Sequence, residues 1–199
     1  MIKAHELAAW YQGVTRISED REEENASMWQ DYFLLILFTG LRRSEAGKLT
    51  TANLDFKAKT FTIYDTKKHE EHTLPMSDFL YQLLERRVAA SKTSEFLFPA
   101  NSKSGYVVEP RKAIDKIIKF SGIQFTTHDL RRTFITIAES LDISTYTLKR
   151  LLNHKMNNDV TAGYIVANVE RLRKPMQLIT DYILSAFSET KETLCIINS

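Results

Sequence analysis

Cysteine is nearly absent from this chain of 199 residues, which contains only Cys195. A single cysteine cannot form an internal disulfide or supply a thiolate metal cluster. The longest apolar run, Tyr32 to Phe38, is far shorter than the ~20 residues needed to cross a bilayer, and the first residues do not resemble a signal peptide. We therefore expect a cytoplasmic protein with no membrane partner.

The charge of the chain is unevenly distributed. Residues 1–40 hold 3 Lys/Arg against 7 Asp/Glu, and residues 176–199 hold 1 against 3. The segment between them holds 23 against 15 and so carries a net charge of +8. A basic middle segment is what a surface that binds a polyanion requires, although a solvated basic surface would also explain it.

Hydrophobic periodicity predicts one mainly helical domain of the α+β class, with a small three-stranded antiparallel sheet near the N-terminal third. The predicted helices are residues 4–14, 27–39, 44–49, 77–90, 110–120, 128–141, 145–153, 158–165 and 175–187, and the predicted strands are residues 54–56, 60–64 and 72–74. Gly40 and Gly122 are placed to end helices, and Pro110 to open one. We assign residues 1–167 to the domain and residues 168–199 to a C-terminal tail.

The predicted tail has two apolar parts. Pro175 is placed to open a helix in which apolar residues recur at helical spacing, and Thr193–Ile197 has a strand-like composition. An apolar tail needs a surface to dock on. The sequence leaves open whether that surface belongs to the same chain or to a neighbouring copy.

Five residues of the basic segment suit a phosphodiester site that works without a metal. They occur in the order Arg42, His128, Arg131, His154 and Tyr164. A phosphodiester is anionic and its transition state carries more charge, so such a protein must supply fixed cations and donors. The planar fork of arginine holds two non-bridging oxygens at once. A tyrosine nucleophile keeps the broken strand covalently attached, which allows a later rejoining step.

Each of these residues alone has a more ordinary interpretation. Arg42 would belong to a solvated patch with its neighbours, and His154 and Tyr164 would be structural residues. His128 and Arg131 are three residues apart at a predicted helix N-terminus, which Thr126 or Thr127 would cap. That position receives a phosphate well, because it combines free backbone N–H groups with the positive end of the helix dipole. The joint order of the five residues is what favours the catalytic interpretation.

Three boxes of sequence carry these residues: Thr39–Glu45, Thr127–Phe134 and Leu151–Tyr164. Through them the chain resembles the catalytic domain of tyrosine recombinases of the phage or genomic-island integrase type. The resemblance extends from Glu6 to about Ile165. Asn153 departs from it, because many members of the family have glycine before the histidine.

The resemblance implies roles for the arginines and histidines. Arg42 and Arg131 would clamp the non-bridging oxygens of the scissile phosphate, and His154 would donate a further hydrogen bond. His128 would be the general base or a second phosphate donor. Glu45 is interpreted as an acceptor that orients an arginine or histidine.

The resemblance also implies the two groups that make and break bonds. Tyr164 would attack phosphorus to give a 3′-phosphotyrosine and a free 5′-hydroxyl. A lysine on the strand hairpin would protonate the leaving oxygen. Lys67 aligns best with that lysine, and its neighbour Lys68 is the alternative. No cluster of carboxylates suggests Mg²⁺, so we expect no cofactor.

The function implied is site-specific DNA recombination that integrates or excises a mobile element in a bacterial host, at the nucleoid. The implied partners are double-stranded DNA with att-type sites, a tetramer of this chain on that DNA, and accessory DNA-bending or directionality proteins. The N-terminal core-binding and arm-binding domains of the family do not fit before Glu6, so we expect an excised or truncated catalytic domain. Two alternatives remain: a type IB topoisomerase-like enzyme and a non-catalytic DNA-binding module of the same fold.

Overall fold

The structure is a computed structural model that describes residues 1–19, 25–65, 70–91, 94–153 and 165–197. Its α-helices are α1 (Leu7–Ser18), α2 (Ala26–Thr39), α3 (Arg43–Gly47), α4 (Asp78–Ala90), α5 (Arg111–Ser121), α6 (Thr127–Ser140), α7 (Thr145–Leu151) and α8 (Ile165–Ile197). Its strands are β1 (Leu54–Asp55), β2 (Thr60–Asp65) and β3 (Glu70–Pro75). The expected α+β class is confirmed. The helix expected at residues 158–165 lies almost wholly outside the described residues.

Helix α2 forms the centre of the core. Every side chain from Tyr32 to Phe38 is at most 2% exposed, as expected for a helix that is apolar on all sides. Helices α1, α4, α6 and α8 pack around it. The chain that leaves the end of α2 therefore emerges in the middle of the fold, next to α6.

The three strands form an antiparallel sheet in the order β1-β2-β3. The β2–β3 hairpin is longer than predicted and runs from the pair Thr60 and Pro75 to the pair Asp65 and Glu70. Phe61 pairs with Leu74, and both side chains are fully buried. One face of the hairpin is thus fixed on the core, while residues 66–69 between its strands lie outside the described residues.

The helix boundaries agree with most of the predicted start and stop signals. Gly40 and Gly122 follow α2 and α5 with φ angles of +66° and +74°, the left-handed conformation that glycine adopts without penalty. Pro110 directly precedes α5. At the start of α6, the backbone N–H of Asp129 donates to Thr126 Oγ1 at 3.2 Å. Thr126, and not Thr127, is therefore the cap.

The predictions for the C-terminal segment were wrong in two respects. Pro175 lies inside α8 and does not open it, and Thr193–Ile197 is helical and not a strand. The apolar stripe continues across the proline, since Leu172 and Met176 are both buried. Burial of that stripe offsets the loss of the backbone hydrogen bond that Pro175 removes. Thr193–Ile197 is helical because an established helix adds residues readily at its end.

Helix α8 runs through residues 167 and 168 without interruption. The division of the chain into a domain and a tail at this point stays a prediction. From Leu172 to Ala186 the inward face of α8 is buried against the same chain. Neither α8 nor any other helix in the described part of the chain combines the length and apolar character that spanning a bilayer requires.

Candidate phosphate-binding site

Gly40 lets the segment Thr39–Glu45, which carries Arg42, lie against the core. A Cβ built on this glycine would lie 2.7 Å from Cδ1 of Phe134 and 3.0 Å from Cδ2 of Leu152. The first distance is too short for a real contact, so the Phe134 ring on α6 would have to move, and the second would crowd the Leu152 side chain. The missing side chain therefore allows three elements to meet directly beside Arg42.

Arg42 is held by a carboxylate one helical turn away. Its Nη1 donates to Glu45 Oε1 at 2.7 Å, and its backbone N–H donates to Glu45 Oε2 at 2.7 Å. The side chain of Arg42 is 47% exposed, whereas that of Glu45 is 14% exposed. Glu45 thus restricts an arginine that still faces solvent, which is the orienting contact expected from the sequence.

Arg131 is fixed from inside the core. It is 5% exposed, and its guanidinium donates through Nη1 to the Gly40 carbonyl and through Nη2 to the Leu152 carbonyl at 3.1 Å. Both acceptors belong to helix ends, where the last carbonyls have no partner within the helix. The ends of α2 and α7 therefore position the second arginine.

The two arginines and Glu45 share one electrostatic environment. Burial lowers the pKa of Arg131; the charge of Arg42 acts in the same direction, and Glu45 opposes both. An arginine remains charged even after such a shift. The structure therefore places two cations and one carboxylate close enough to influence one another.

His128 lies in the first turn of α6, three residues before Arg131, and its side chain is exposed. The turn is locked by Asp129, whose carboxylate accepts from the Thr126 backbone N–H at 3.1 Å and from the terminal ammonium of Met1 at 2.7 Å. His128 is therefore displayed at the N-terminal end of a well-capped helix.

Asn153 stands at the position where the resemblance would place a glycine. It follows the end of α7 with a φ of +53°, a conformation that asparagine adopts more readily than other residues with a side chain. The turn before His154 is therefore available without glycine.

Three of the predicted site residues, Lys67, His154 and Tyr164, lie outside the described residues, as does the alternative Lys68. Their roles stay predictions. The described residues Arg42 and Arg131 come together, and His128 stands one turn from Arg131.

His72 also belongs to this neighbourhood, although its sequence context was interpreted only as part of a strand. Its Nε2 lies 3.2 Å from the Leu151 carbonyl. Burial lowers its pKa, and Arg131 and Arg150 act in the same direction, against the Leu151 hydrogen bond and Glu45. The sequence held one signal that could have indicated this inward position: side chains alternate along a strand, and His72 falls on the same face as the buried Leu74.

Comparison with known proteins places these residues in context. A model described as the phage integrase family matches residues 11–171. Prophage integrase IntF of Escherichia coli (strain K12) is 28% identical over 190 residues, which cover 92% of this chain and 39% of that protein. The chain thus spans well under half the length of that relative.

Solved structures show the same fold. The integrase from mycobacterium phage Brujita superposes with a TM-score of 0.65 at 19% identity, over 89% of this chain and 61% of that one. The XerH site-specific recombinase, in a pre-cleavage complex with its difH substrate, gives a TM-score of 0.60 at 21% identity, over 75% of this chain and 45% of that one. The fold is that of tyrosine recombinase catalytic domains, and the resemblance seen in the three boxes is confirmed: this chain belongs to the phage integrase family.

Proposed function

We propose that this chain is the catalytic part of a site-specific DNA recombinase that cleaves and rejoins strands through a 3′-phosphotyrosine. The observation that carries the proposal is the convergence of Arg42 and Arg131 from separate helices. A carboxylate orients the first and two helix-end carbonyls hold the second. Preorganised cations of this kind stabilise charge that develops at a phosphodiester.

Arg42 and Arg131 differ in exposure, which supports different roles for them in binding the phosphate. Arg42 faces solvent and would contact a non-bridging phosphate oxygen directly. Arg131 would act on the same phosphate from inside the core, and its burial strengthens the interaction because the surroundings screen charge poorly. His154, which follows the α7 turn in sequence, would add a donor to the same oxygens.

The covalent step would exchange one ester bond for another. The Tyr164 oxygen forms a bond to phosphorus as the bond to the 5′-oxygen breaks. The phenol proton passes to His128 or to water, and Lys67 or Lys68 gives a proton to the leaving oxygen. Attack by the 5′-hydroxyl of a second duplex reverses the step and joins new partners.

The wider setting is part of the same proposal. The structural relative XerH is a site-specific recombinase bound to its difH substrate, and the basic middle segment of this chain suits double-stranded DNA. Att-type sites, a tetramer on DNA and accessory bending or directionality proteins would complete the reaction. The enzyme would then act at the nucleoid of a bacterial host.

A nicked duplex tests the cleavage step, because loss of the short strand after attack traps the covalent complex. A pool of nicked duplexes with randomised sequence, incubated with the full chain at low salt, should yield complexes that survive denaturing electrophoresis. Formation should persist in EDTA, since arginine and histidine supply the positive charge. Tyr164→Phe, which removes only the attacking oxygen, should bind the selected duplex and form no complex.

Two results would contradict the proposal. One is a wild-type chain that yields no more covalent product than Tyr164→Phe. The other is cleavage that Tyr164→Phe retains, which would move the nucleophile to another tyrosine such as Tyr146.

A further inference from the structure

His72 connects the strand hairpin to the end of α7. Its imidazole is half-buried on the inward face of β3, and the Leu151 carbonyl lies 3.2 Å from Nε2. A carbonyl only accepts, so the ring nitrogen must donate. Leu151 is the last residue of α7, and its carbonyl is one of those that a helix leaves without an internal partner.

The next carbonyl of the same helix end is held by the site. Leu152 accepts from Arg131 Nη2 at 3.1 Å. Two consecutive carbonyls are therefore hydrogen-bonded by side chains of two different elements, one by His72 of β3 and one by Arg131 of α6. Directly after them the chain turns at Asn153 and continues, in sequence, to His154.

We propose that His72 is a positioning residue for DNA cleavage: by holding the carboxyl end of α7 it fixes the carbonyl that orients Arg131 and the turn that leads to His154. This inference rests on the proposed function. It concerns a residue outside the three boxes that carry the family resemblance.

The charges around the ring suit a neutral donor. Among the residues that the structure describes, Glu45, Arg131 and Arg150 are the charged groups that act on it, and burial together with the two arginines lowers its pKa. At neutral pH the imidazole thus supplies one N–H without adding a third positive charge beside the arginines. A glutamine can place an amide N–H near the same point, whereas a phenylalanine fills the space without a donor.

Two substitutions separate the hydrogen bond from packing. Single-turnover cleavage is measured on the duplex selected by covalent capture, with the full chain at saturating concentration. We expect His72→Phe to slow this cleavage by about 10–100-fold, which is the effect of a small misplacement of catalytic groups. DNA affinity should stay within about threefold, because the surface phosphate contacts are intact. His72→Gln should cleave within about threefold of the wild type.

A duplex with sulfur in place of the bridging 5′-oxygen locates the defect. Sulfur leaves without a proton, so it rescues a fault in the leaving-group acid. It should not rescue His72→Phe, whose fault lies on the phosphate-binding side. Amide hydrogen exchange gives a readout without DNA: residues 149–152 should exchange faster in His72→Phe than in the wild type or His72→Gln, while α5 is unchanged.

Wild-type rates in His72→Phe would overturn the inference. Equal losses in both variants would also overturn it, because the ring and not its N–H would then matter. Rescue by sulfur would assign His72 to the leaving-group side and overturn the route through α7. If the wild type also forms no covalent product, the proposed function fails, and the role of His72 in cleavage fails with it. Unchanged hydrogen exchange at residues 149–152 in His72→Phe would instead refute the anchoring of α7 by His72.

Discussion

Arg131 donates a hydrogen bond from its buried guanidinium to the carbonyl of Gly40. Gly40 ends the central helix α2 in the left-handed conformation and lies so close to Phe134 that no Cβ fits between them. The glycine thus gives Arg131 an acceptor and lets the helix that bears Arg131 approach. The geometry of the site depends on this one position.

Gly40→Ala should destabilise the fold strongly. The left-handed backbone costs an alanine roughly 1–2 kcal/mol, and the contact with Phe134 adds roughly 1–3 kcal/mol of overpacking. Gly122→Ala is the matched control, because Gly122 has a φ of +74° and nothing within 4 Å of a Cβ. Urea unfolding should show a clearly larger loss for Gly40→Ala, and equal losses would mean that α6 can shift at no cost.

Arg131→Lys should separate charge from geometry. Lysine keeps the positive charge but cannot donate to the Gly40 and Leu152 carbonyls in the fixed fork of a guanidinium. We expect cleavage to fall by about 10²–10³-fold, as for loss of one transition-state donor, with DNA binding nearly unchanged. The control is Arg132→Lys, since the side chain of Arg132 is 58% exposed. A similar loss in both variants would indicate a general effect of basic charge.

The sequence predicted those parts of the fold that depend on local chemistry. The ends of α2 and α5 follow from Gly40 and Gly122, and the start of α6 follows from the adjacent Thr126 and Thr127, because caps act within one turn. Pro175 was misjudged because its effect depends on burial of an apolar stripe by distant helices. The local signal of a helix breaker was overridden by packing.

The site shows the same division between local and distant information. Arg42 and Arg131 were predicted from their boxes, yet the carbonyls that hold Arg131 depend on where two helices end in space. His72 was missed because a single histidine in a strand has many ordinary explanations. Its partner among the described residues, the Leu151 carbonyl, comes from the approach of α7 to β3.

The identity of the leaving-group acid can be tested by substitution and chemical rescue. If Lys67 protonates the departing oxygen, Lys67→Ala should lose roughly 10²–10⁴-fold in cleavage rate, and a 5′-bridging sulfur substrate should recover most of that loss. Lys68→Ala provides the matched control on the neighbouring residue. Rescue confined to Lys68→Ala would shift the assignment by one residue.

The pH dependence of stability should carry a contribution from His72. Burial, with help from Arg131 and Arg150, lowers the pKa of this side chain below its usual value. The unfolded chain therefore takes up a proton near pH 6.5 while the folded chain resists it. Stability that is present above this pH is lost as the pH falls below it.

Urea unfolding between about pH 7.5 and 5.5, on either side of the histidine pKa, measures this contribution. The free energy of unfolding should fall less steeply in His72→Gln and His72→Phe than in the wild type. The two variants should share one slope even where their absolute stabilities differ, because neither titrates at this position. A wild-type slope in either variant would assign the titration to another group.

The C-terminal segment is docked on its own chain as far as the side chains of α8 are described. Met176, Ile179 and Ile183 are fully buried, and Thr180 Oγ1 donates to Ser77 Oγ at 2.9 Å. Arg173 donates to the Ala58 and Lys59 carbonyls at 2.8 and 3.2 Å. Docking on a neighbouring copy therefore concerns the segment from Ser188 onward.

Removal of residues 188–199 should consequently leave a folded monomer with a nearly unchanged melting temperature, but with altered cleavage and poor recombination between two duplexes. The reason is that the buried side chains named above all precede Ser188, and in a tail that docks on another protomer the turns after Ser188 would contact that protomer. Ile183→Ala is the reference for a loss within the same chain, and should cost roughly 2–5 kcal/mol. Melting temperature and assembly on DNA decide between the two docking modes. A truncated chain that melts as low as Ile183→Ala, yet assembles and recombines normally, would show that the end of α8 stabilises only its own domain.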